Sequence, residues 1–283
     1  MENKQKPEHS PIGASGRYRW RECPGSVKLS EKIEETSSSP AAIEGTLAHE
    51  VAASLLTKAF NENTIIDTVL EEYVNALSIY VDYVYNLKKT CDIVLIEHAF
   101  DMGHIYPDLY GTADAVGLDK KNGILHVVDL KFGEGIVVEV KDNPQLEYYA
   151  LGALRTLNFP CKKVEMTIVQ PRAYHPLGAI RSHTVSVLDF HEIENNIARE
   201  AAHTNLANPR FKAGEWCLFC KASRICPVKH NAKLEAAKKE FAKKPRNPKK
   251  DFKDLTKENF KDLTHPPINK EKAENDFLNN ILN

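Results

Sequence analysis

Apolar residues recur at helical spacing in the first third of the chain. Leu47, Val51 and Leu55 lie four residues apart and predict the buried face of a helix over 41–60. A second run of apolar residues, with a period of 3.6, predicts a helix over 67–88. Two amphipathic helices are therefore expected before any strand.

Short segments rich in β-forming residues follow these helices. They cover 93–100, 110–118 and 124–132 and are separated by turn-forming residues. The sequence Asp119-Lys-Lys-Asn-Gly123 joins the last two segments and is typical of a hairpin. We therefore expect antiparallel pairing among these strands.

The second half of the chain alternates between helix and strand. The predicted elements are a helix over 143–157, strands over 164–170 and 181–188, and a helix over 189–206. Asn143 before Pro144 is typical of a helix start, with Asn as the N-cap. Asp189, with Glu192 three residues later, resembles a capping box for the last helix.

The order of these elements predicts the fold class. A strand, a helix and a strand in succession over 124–170 imply parallel pairing through a right-handed crossover. The hairpins before them add antiparallel strands. We therefore expect an α/β fold with a mixed central β-sheet flanked by helices.

Composition fits one globular domain with polar ends. The chain has 283 residues, of which 42% are hydrophobic and 27% charged. Residues 1–16 and most of 231–283 are expected to be disordered, which leaves 17–230 as the folded domain. No apolar run is long enough to cross a bilayer and no secretion signal is evident, so we expect a cytoplasmic protein. The formal net charge of −1 means that any surface for nucleic acid must be local.

Two acidic residues and a lysine stand near the ends of adjacent predicted strands. Asp129 and Lys131 point to the same side of one strand, and a hairpin at 119–123 would bring Asp114 close to Asp129. The alternative for an isolated Asp-x-Lys is an exposed, salt-bridged strand face. The surrounding strand is apolar, however, and buried charges are costly unless they are paired or bind metal. Adjacent carboxylates favour Mg²⁺ or Mn²⁺, and a nearby lysine suits phosphodiester hydrolysis.

These residues belong to a longer set of motifs. The segments GTADAV, VVDLKFG and NPQLEYYALGAL, in this order, resemble the restriction-endonuclease-like core of the PD-(D/E)XK nucleases, in their RecB-like branch. The segment EGTLAHEVA resembles the histidine-bearing helix that precedes that core. The resemblance implies divalent-metal ligands at His49, Asp114, Asp129 and the backbone carbonyl of Leu130. It also implies a catalytic Lys131, with Gln145 and Tyr149 organising the site or the DNA. An imidazole ligand shifts the preference from Mg²⁺ toward Mn²⁺.

Three of the six cysteines cluster near the end of the predicted domain with the spacing C-x₂-C-x₅-C. Clustered cysteines in a reducing compartment more often bind metal than form disulfides. With one cysteine far upstream, the candidate ligands are Cys23, Cys217, Cys220 and Cys226. This arrangement resembles the iron–sulfur nucleases of the AddB type and the CRISPR-associated RecB-like exonucleases, which implies a structural [4Fe-4S] cluster. Structural zinc is the alternative. Cys91 and Cys161 are expected to be small packing residues.

The resemblance implies hydrolysis of DNA, with an exonuclease on single-stranded or ended DNA as the particular expectation. The chain has no phosphate-binding loop for ATP, so duplex opening would need a recombination, annealing or helicase partner. The resemblance covers residues 15–230 and extends to a phage- and prophage-associated family. Members of that family begin with R-W-x-x-C-P-G-S and end with G-E-W-C-x-F-C, which implies a phage-encoded protein in a bacterial host.

Basic and aromatic residues outside the metal site are candidates for DNA contact. They are Arg17, Arg19, Trp20 and Arg172. For the N-terminal three, the alternative is a cap packed over the cysteine cluster. Two other functions remain open: a non-catalytic DNA-binding or scaffold protein that retains the nuclease fold, and a metal-cluster protein that senses redox state or binds a protein partner.

Overall fold

A computed structural model describes residues 9–33, 39–59 and 71–243. The chain divides into two compact units, Met1–Ala232 and Lys233–Asn283. The α-helices in the described residues are α1 (Arg17–Glu22), α2 (Gly25–Ser30), α3 (Pro40–Ala59), α4 (Glu71–Thr90), α5 (Pro144–Leu157), α6 (Phe190–Thr204) and α7 (Pro227–Lys243). The strands are β1 (Ile93–Asp101), β2 (Tyr110–Asp119), β3 (Ile124–Leu130), β4 (Lys163–Val169) and β5 (Ile180–Ser186). None of the described helices is both long and apolar enough to span a membrane.

The five strands form one mixed sheet in the order β1-β2-β3-β4-β5. The β1–β2, β2–β3 and β4–β5 pairs are antiparallel, and β3 pairs parallel to β4. Successive side chains of β3 alternate between two core clusters, since Val127 packs with α5 and α6 and Val128 packs with α3 and α4. The expected α/β architecture, a mixed sheet flanked by helices, is confirmed.

Local signals explain the two connections around β3. The hairpin after β2 ends at Gly123, whose φ of 70° lies in the left-handed region that favours glycine. Asp119 stabilises this turn by accepting from the backbone and side-chain amides of Asn122. The parallel crossover is helix α5, which begins as predicted: the Asn143 side chain accepts from the backbone N–H groups of Gln145 and Leu146.

The buried face of α3 differs from the prediction by one position. Ala48, Ala52 and Leu56 are buried, whereas Leu47 is 56% exposed. Helix α3 contacts both α4 and β1. Alanines at the contact let the helix approach its neighbours closely, so the small residues face the core and a larger apolar side chain faces outward.

The start of α6 also differs. Asp189 makes no side-chain capping bond because its backbone is already helical, with φ −66° and ψ −23°. The chain instead enters α6 through a 3₁₀ turn, Val187–Asp189, in which Ser186 accepts from the backbone of Leu188. The predicted strand 181–188 therefore ends at Ser186.

The N-terminal segment is ordered from residue 9, where disorder was expected up to residue 16. Ile12 and Ala14 are buried in the main core cluster, and Ser10 Oγ donates to the carbonyl of Asp108 at 2.5 Å. Burial of two apolar side chains outweighs the polar composition of the segment. Residues 1–8 and 244–283 lie outside the described residues, and the expectation of disorder there stays a prediction.

Candidate metal centre and cysteine pocket

The β2–β3 register brings the two predicted carboxylates together. Ala115 pairs with Val128, so the same register sets Asp114 opposite Asp129. A hydrogen bond also joins the two strands here, because the backbone N–H of Leu130 donates to Oδ2 of Asp114 at 2.7 Å. The hairpin at 119–123 therefore brings Asp114 close to Asp129, as the sequence predicts.

His49 on α3 lies close to Asp114 and to a further carboxylate, Glu97. Its Nδ1 lies 3.4 Å from Oδ1 of Asp114 and 3.8 Å from Oε1 of Glu97. Ligand atoms of these three residues all lie within 4.8 Å of one another, and among the described residues they are the one group of three or more with this spacing. Asp129 is outside this tight group.

Glu97 is the member of the group that sequence reasoning missed. Its neighbours Ile96 and His98 pair with Ala115 and Ala113 of β2. Glu97 on β1 therefore lies opposite Asp114, on the other side of β2 from β3. Its φ of 45° lies in the left-handed region, where a glutamate is strained and the strand is distorted. Period-two patterning cannot detect such a position, but an acidic residue inside the apolar run of β1 was a usable signal.

Asp129 is the most deeply buried of the carboxylates, with 1% of its surface exposed. Neither of its oxygens has a hydrogen-bond partner of good geometry among the described residues, although Oδ2 forms an ion pair with Nζ of Lys131 at 2.8 Å. Burial raises the pKa of Asp129 to about 6, against the lowering effect of Lys131. The buried Oδ1, which has no partner among the described residues, fits a site that binds a cation.

The charges around His49 favour its protonated form. Burial opposes its protonation, but the neighbouring Asp114 and Glu97 outweigh burial and raise the pKa of His49 to about 10. A cation among these carboxylates would take the place of the imidazolium charge. The donor set of one imidazole and several carboxylates suits Mn²⁺ or Mg²⁺.

The predicted lysine is held by the predicted glutamine. Lys131 Nζ donates to Oε1 of Gln145 at 2.7 Å, and Nε2 of Gln145 lies 3.4 Å from the hydroxyl of Tyr149. Burial raises the pKa of Tyr149, so its hydroxyl stays neutral. The backbone N–H of Lys131 donates to the carbonyl of Val169 at 2.8 Å, which extends the β3–β4 pairing to the lysine.

The four candidates for DNA contact are engaged within the protein. Trp20 is fully buried, and Arg17 is 2% exposed and paired with two carboxylates. Burial of these two residues favours the alternative, in which the N-terminal segment packs as a cap, and DNA contact by any of the four stays a prediction. Arg19 donates to Ser26, and Arg172 pairs with Glu44 and Glu134 while its guanidinium stacks over aromatic rings.

The four predicted cysteine ligands line one pocket. Its lining includes Cys23, Cys217, Cys220 and Cys226. Cys91 and Cys161 lie elsewhere: Cys91 is next to Gly117, and Cys161 is in the main core cluster. Burial raises the pKa of the Cys23 thiol, although backbone N–H donation from Lys212 lowers it.

The sulfur atoms of this pocket are not tightly grouped. No three of the described cysteines offer sulfur atoms within 4.8 Å of one another. Four thiolates around one zinc ion would be about 3.8 Å apart, given a Zn–S bond of about 2.3 Å. The pocket therefore has the right residues for a four-cysteine site without the spacing that a single zinc ion imposes.

Contacts that do not involve the cysteines also join the N-terminal helices to the segment after α6. Lys28 Nζ donates to the carbonyl of Leu206 at 2.7 Å, and Lys212 Nζ pairs with Glu22 at 2.6 Å. Gly25 packs against the ring of Phe211 so closely that an added Cβ would lie 2.7 Å from the ring. The two ends of the domain are thus in contact around the pocket.

The fold and these sites define an α/β protein with a candidate divalent-cation centre at its sheet and a separate four-cysteine pocket. The chain belongs to the family described as "Protein of unknown function (DUF2800)", whose model matches residues 9–266. Among solved structures, it is similar to the protein in "Crystal structure of SSO0001", with 17% identity and a TM-score of 0.43. That match covers 80% of this chain and 90% of the other. A TM-score this low does not separate a shared fold from shared secondary-structure content.

Proposed function

We propose that this protein is a divalent-cation-dependent DNA nuclease with a PD-(D/E)XK-type active site. The observation that carries the proposal is the state of Asp129: a fully buried carboxylate beside Asp114, whose Oδ2 is ion-paired with Lys131 and whose Oδ1 has no partner among the described residues. Burying such a group is costly unless a cation is bound, so the arrangement suggests selection for chemistry rather than stability.

A Mg²⁺ or Mn²⁺ ion would be held by side chains from four elements, α3, β1, β2 and β3, and by one backbone oxygen. The ligands in this proposal are His49, Glu97, Asp114, Asp129 and the carbonyl of Leu130. The ion would lower the pKa of a bound water and offset negative charge on the phosphate. Glu97 is added to the predicted set because its carboxylate stands with His49 and Asp114.

The lysine and its two supporting residues have separate roles. Lys131 would donate to the phosphate or hold the attacking water, because its ammonium group is partly exposed beside Asp129. Gln145 restrains the ammonium group through its side-chain oxygen. Tyr149 stands behind the Gln145 amide and limits its rotation. Together they keep a mobile side chain in one orientation, which is where much of the catalytic gain of such sites arises.

The proposed substrate is single-stranded or ended DNA. No helicase motor is present in the sequence, so a recombination, annealing or helicase partner would supply unwound strands. The expectation of a phage-encoded, cytoplasmic protein belongs to the same proposal. The alternative, a non-catalytic scaffold that retains the fold, is disfavoured by the intact carboxylates, lysine and glutamine.

The cysteine pocket is proposed to hold a structural [4Fe-4S] cluster. Support comes from the four cysteines, which line one pocket. Such a cluster would add covalent links between two segments that already touch. Structural zinc stays the alternative.

The decisive experiment measures cleavage of labelled single-stranded DNA, duplex DNA and RNA with Mn²⁺, Mg²⁺ or chelator. We expect metal-dependent cleavage of DNA by the wild type and by Lys121→Ala, an exposed lysine in the β2–β3 turn. Lys131→Ala should be inactive. Cleavage that persists in Lys131→Ala or in chelator would refute this site, and DNA binding without cleavage would support the scaffold instead.

Metal content is tested on protein purified without oxygen. A brown protein with absorbance near 400 nm and about four irons per chain is expected. One zinc per chain, and no iron, would replace the iron–sulfur proposal while leaving the nuclease proposal untouched.

A further inference from the structure

Arg17 carries a positive charge in the interior of the protein. Its side chain is 2% exposed. Its Nε donates to Oε2 of Glu200 at 3.0 Å, and its Nη1 donates to Oε2 of Glu147 at 2.6 Å and to the carbonyl of Pro144 at 3.0 Å. One guanidinium group thus joins the first residue of α1 to α5 and to α6.

A single cation between two partly buried carboxylates is a strong restraint. Glu147 and Glu200 are 16% and 14% exposed, so solvent screens their charges poorly. Removing Arg17 would leave two like charges facing each other across a space that the guanidinium filled. A planar group with several fixed donors satisfies this arrangement better than an ammonium group can.

The restraint acts on the turn of α5 that supports the proposed catalytic lysine. Pro144 and Glu147 belong to the first turn of α5 and flank Gln145. Gln145 in turn accepts the hydrogen bond from Lys131. A continuous series of contacts therefore leads from Arg17, through the start of α5, to Lys131.

On its other side, Arg17 is close in sequence to the cysteine pocket. Helix α1 ends at Glu22 and is followed directly by Cys23, which lines that pocket. A shift of α1 caused by the state of the pocket would therefore reach Arg17 through six residues of helix.

We propose that Arg17 is a positioning residue for Lys131, and that it transmits the placement of the N-terminal segment to the active site through the first turn of α5. The proposal rests on the proposed function in taking Lys131 as the catalytic lysine. It assigns no direct contact with DNA or metal to Arg17.

The test compares Arg17→Gln with the exposed arginine variant Arg199→Gln. Amine-reactive labelling followed by mass spectrometry reports the accessibility of Lys131, with Lys121 as the internal reference. In Arg17→Gln, labelling of Lys131 should rise by about tenfold, since its charged hydrogen bond to Gln145 is loosened. Wild-type labelling of Lys131 in a folded Arg17→Gln protein would overturn the proposal.

Kinetics separate positioning from general destabilisation. Arg17→Gln should lower kcat by about tenfold while the Mn²⁺ midpoint and KM stay within about twofold, because the hydrogen bonds of Arg17 go to Pro144, Glu147 and Glu200 and not to the proposed metal ligands. Arg17→Lys should recover part of the rate, since it keeps the charge but cannot reach all three acceptors. Equal losses in kcat and in the folded fraction, with no selective change at Lys131, would show a merely structural role.

A second variant covers the case in which Arg17→Gln does not fold. Glu147→Ala leaves Arg17 paired with Glu200 and should raise Lys131 labelling by about threefold; unchanged labelling would contradict the proposal. A wild type that cleaves no DNA, but whose Lys131 labelling responds to both variants, would sink the nuclease proposal and leave the positioning role standing.

Discussion

The carboxylate centre and the cysteine pocket are built from different kinds of structure. The residues of the centre lie on the paired strands β1, β2 and β3 and on helices α3 and α5. Its Asp129 and Asp114 are 1% and 7% exposed. The pocket is bounded by short helices and 3₁₀ turns, such as Glu215–Cys217. Next to it, Leu218 and Phe219 are 67% and 75% exposed. One site is fixed by the sheet, and the other has little local packing of its own.

This contrast predicts different roles for bound metal. In the centre, metal would relieve the cost of buried charge without being needed to form the sheet, so the chain should fold without it. In the pocket, bound metal would supply much of the order that local packing lacks, because binding energy at a structural site is folding energy. Metal loss should therefore reduce activity at the centre and stability at the pocket.

The largest effect is expected at the centre. Asp129→Ala and Lys131→Ala should each lower cleavage by about 10²-fold or more, the cost of losing one strong transition-state contact of roughly 3 kcal/mol. Both variants should keep the wild-type circular dichroism spectrum. Initial rates on labelled DNA measure the change.

Two matched variants control this comparison. Asp82→Asn and Lys121→Ala remove exposed charges of the same kind and should leave the rates within about twofold. A near-wild-type rate in Asp129→Ala or Lys131→Ala would show that the chemistry, if any, lies elsewhere.

The pocket is expected to give the next largest effect. Cys23→Ser, Cys217→Ser, Cys220→Ser and Cys226→Ser should each lose the chromophore and lower the free energy of unfolding by about 2–3 kcal/mol. A crosslink that closes a loop as long as this one would give a larger value by chain entropy alone. We expect the smaller value because the contacts of Lys28, Lys212 and Gly25 already join the two segments. Denaturant melts followed by iron analysis measure both quantities.

Cys91→Ser and Cys161→Ser serve as controls and should keep the chromophore, since neither residue lines the pocket. Specific activity per folded molecule should be unchanged in the pocket variants if the cluster acts through folding alone. Full iron content in Cys23→Ser would mean that the fourth ligand is another residue.

The sequence anticipates those parts of the molecule in which local pattern and tertiary packing agree. The hairpin ending at Gly123, the cap at Asn143 and the parallel crossover through α5 all follow from short-range rules. The approach of Asp114 to Asp129 follows from the hairpin alone. These features need no knowledge of distant contacts.

The features that pattern missed depend on such contacts. Glu97 enters the centre through a left-handed backbone conformation that no strand periodicity predicts. For Trp20 the sequence left open stacking on bases and packing in an N-terminal cap, and only the fold shows that the ring fills the core, where its Nε1 donates to the carbonyl of Gly13. Leu47 faces outward because the alanines beside it allow closer packing. In each case tertiary packing decided between two locally acceptable positions.

The third prediction tests whether His49 and Glu97 belong to the centre. His49→Ala and Glu97→Gln should each raise the Mn²⁺ concentration for half-maximal activity by about tenfold, or about 1.4 kcal/mol in binding. Glu50→Gln on the neighbouring position of α3 is exposed and should leave the midpoint unchanged. An unchanged titration in Glu97→Gln would return the centre to the ligands that the sequence predicted.

The smallest effect concerns the stability of the metal-free centre against pH. Because the pKa of Asp129 is raised to about 6 in the folded protein, the folded state holds a proton that the unfolded state has released, and the metal-free protein should lose stability as pH rises from about 4 to 6. Asp129→Asn should remove this loss and make the metal-free protein more stable at pH 7.5 by about 1 kcal/mol, less than the full shift implies because the ion pair with Lys131 is also lost. Urea melts in chelator measure this, with Asp82→Asn as the control. Added Mn²⁺ should stabilise the wild type and not Asp129→Asn. A metal-free wild type that is equally stable at pH 4.5 and 6.5, below the range in which His49 contributes, would mean that Asp129 is better satisfied than its surroundings indicate, and the contrast between the two sites would lose its basis.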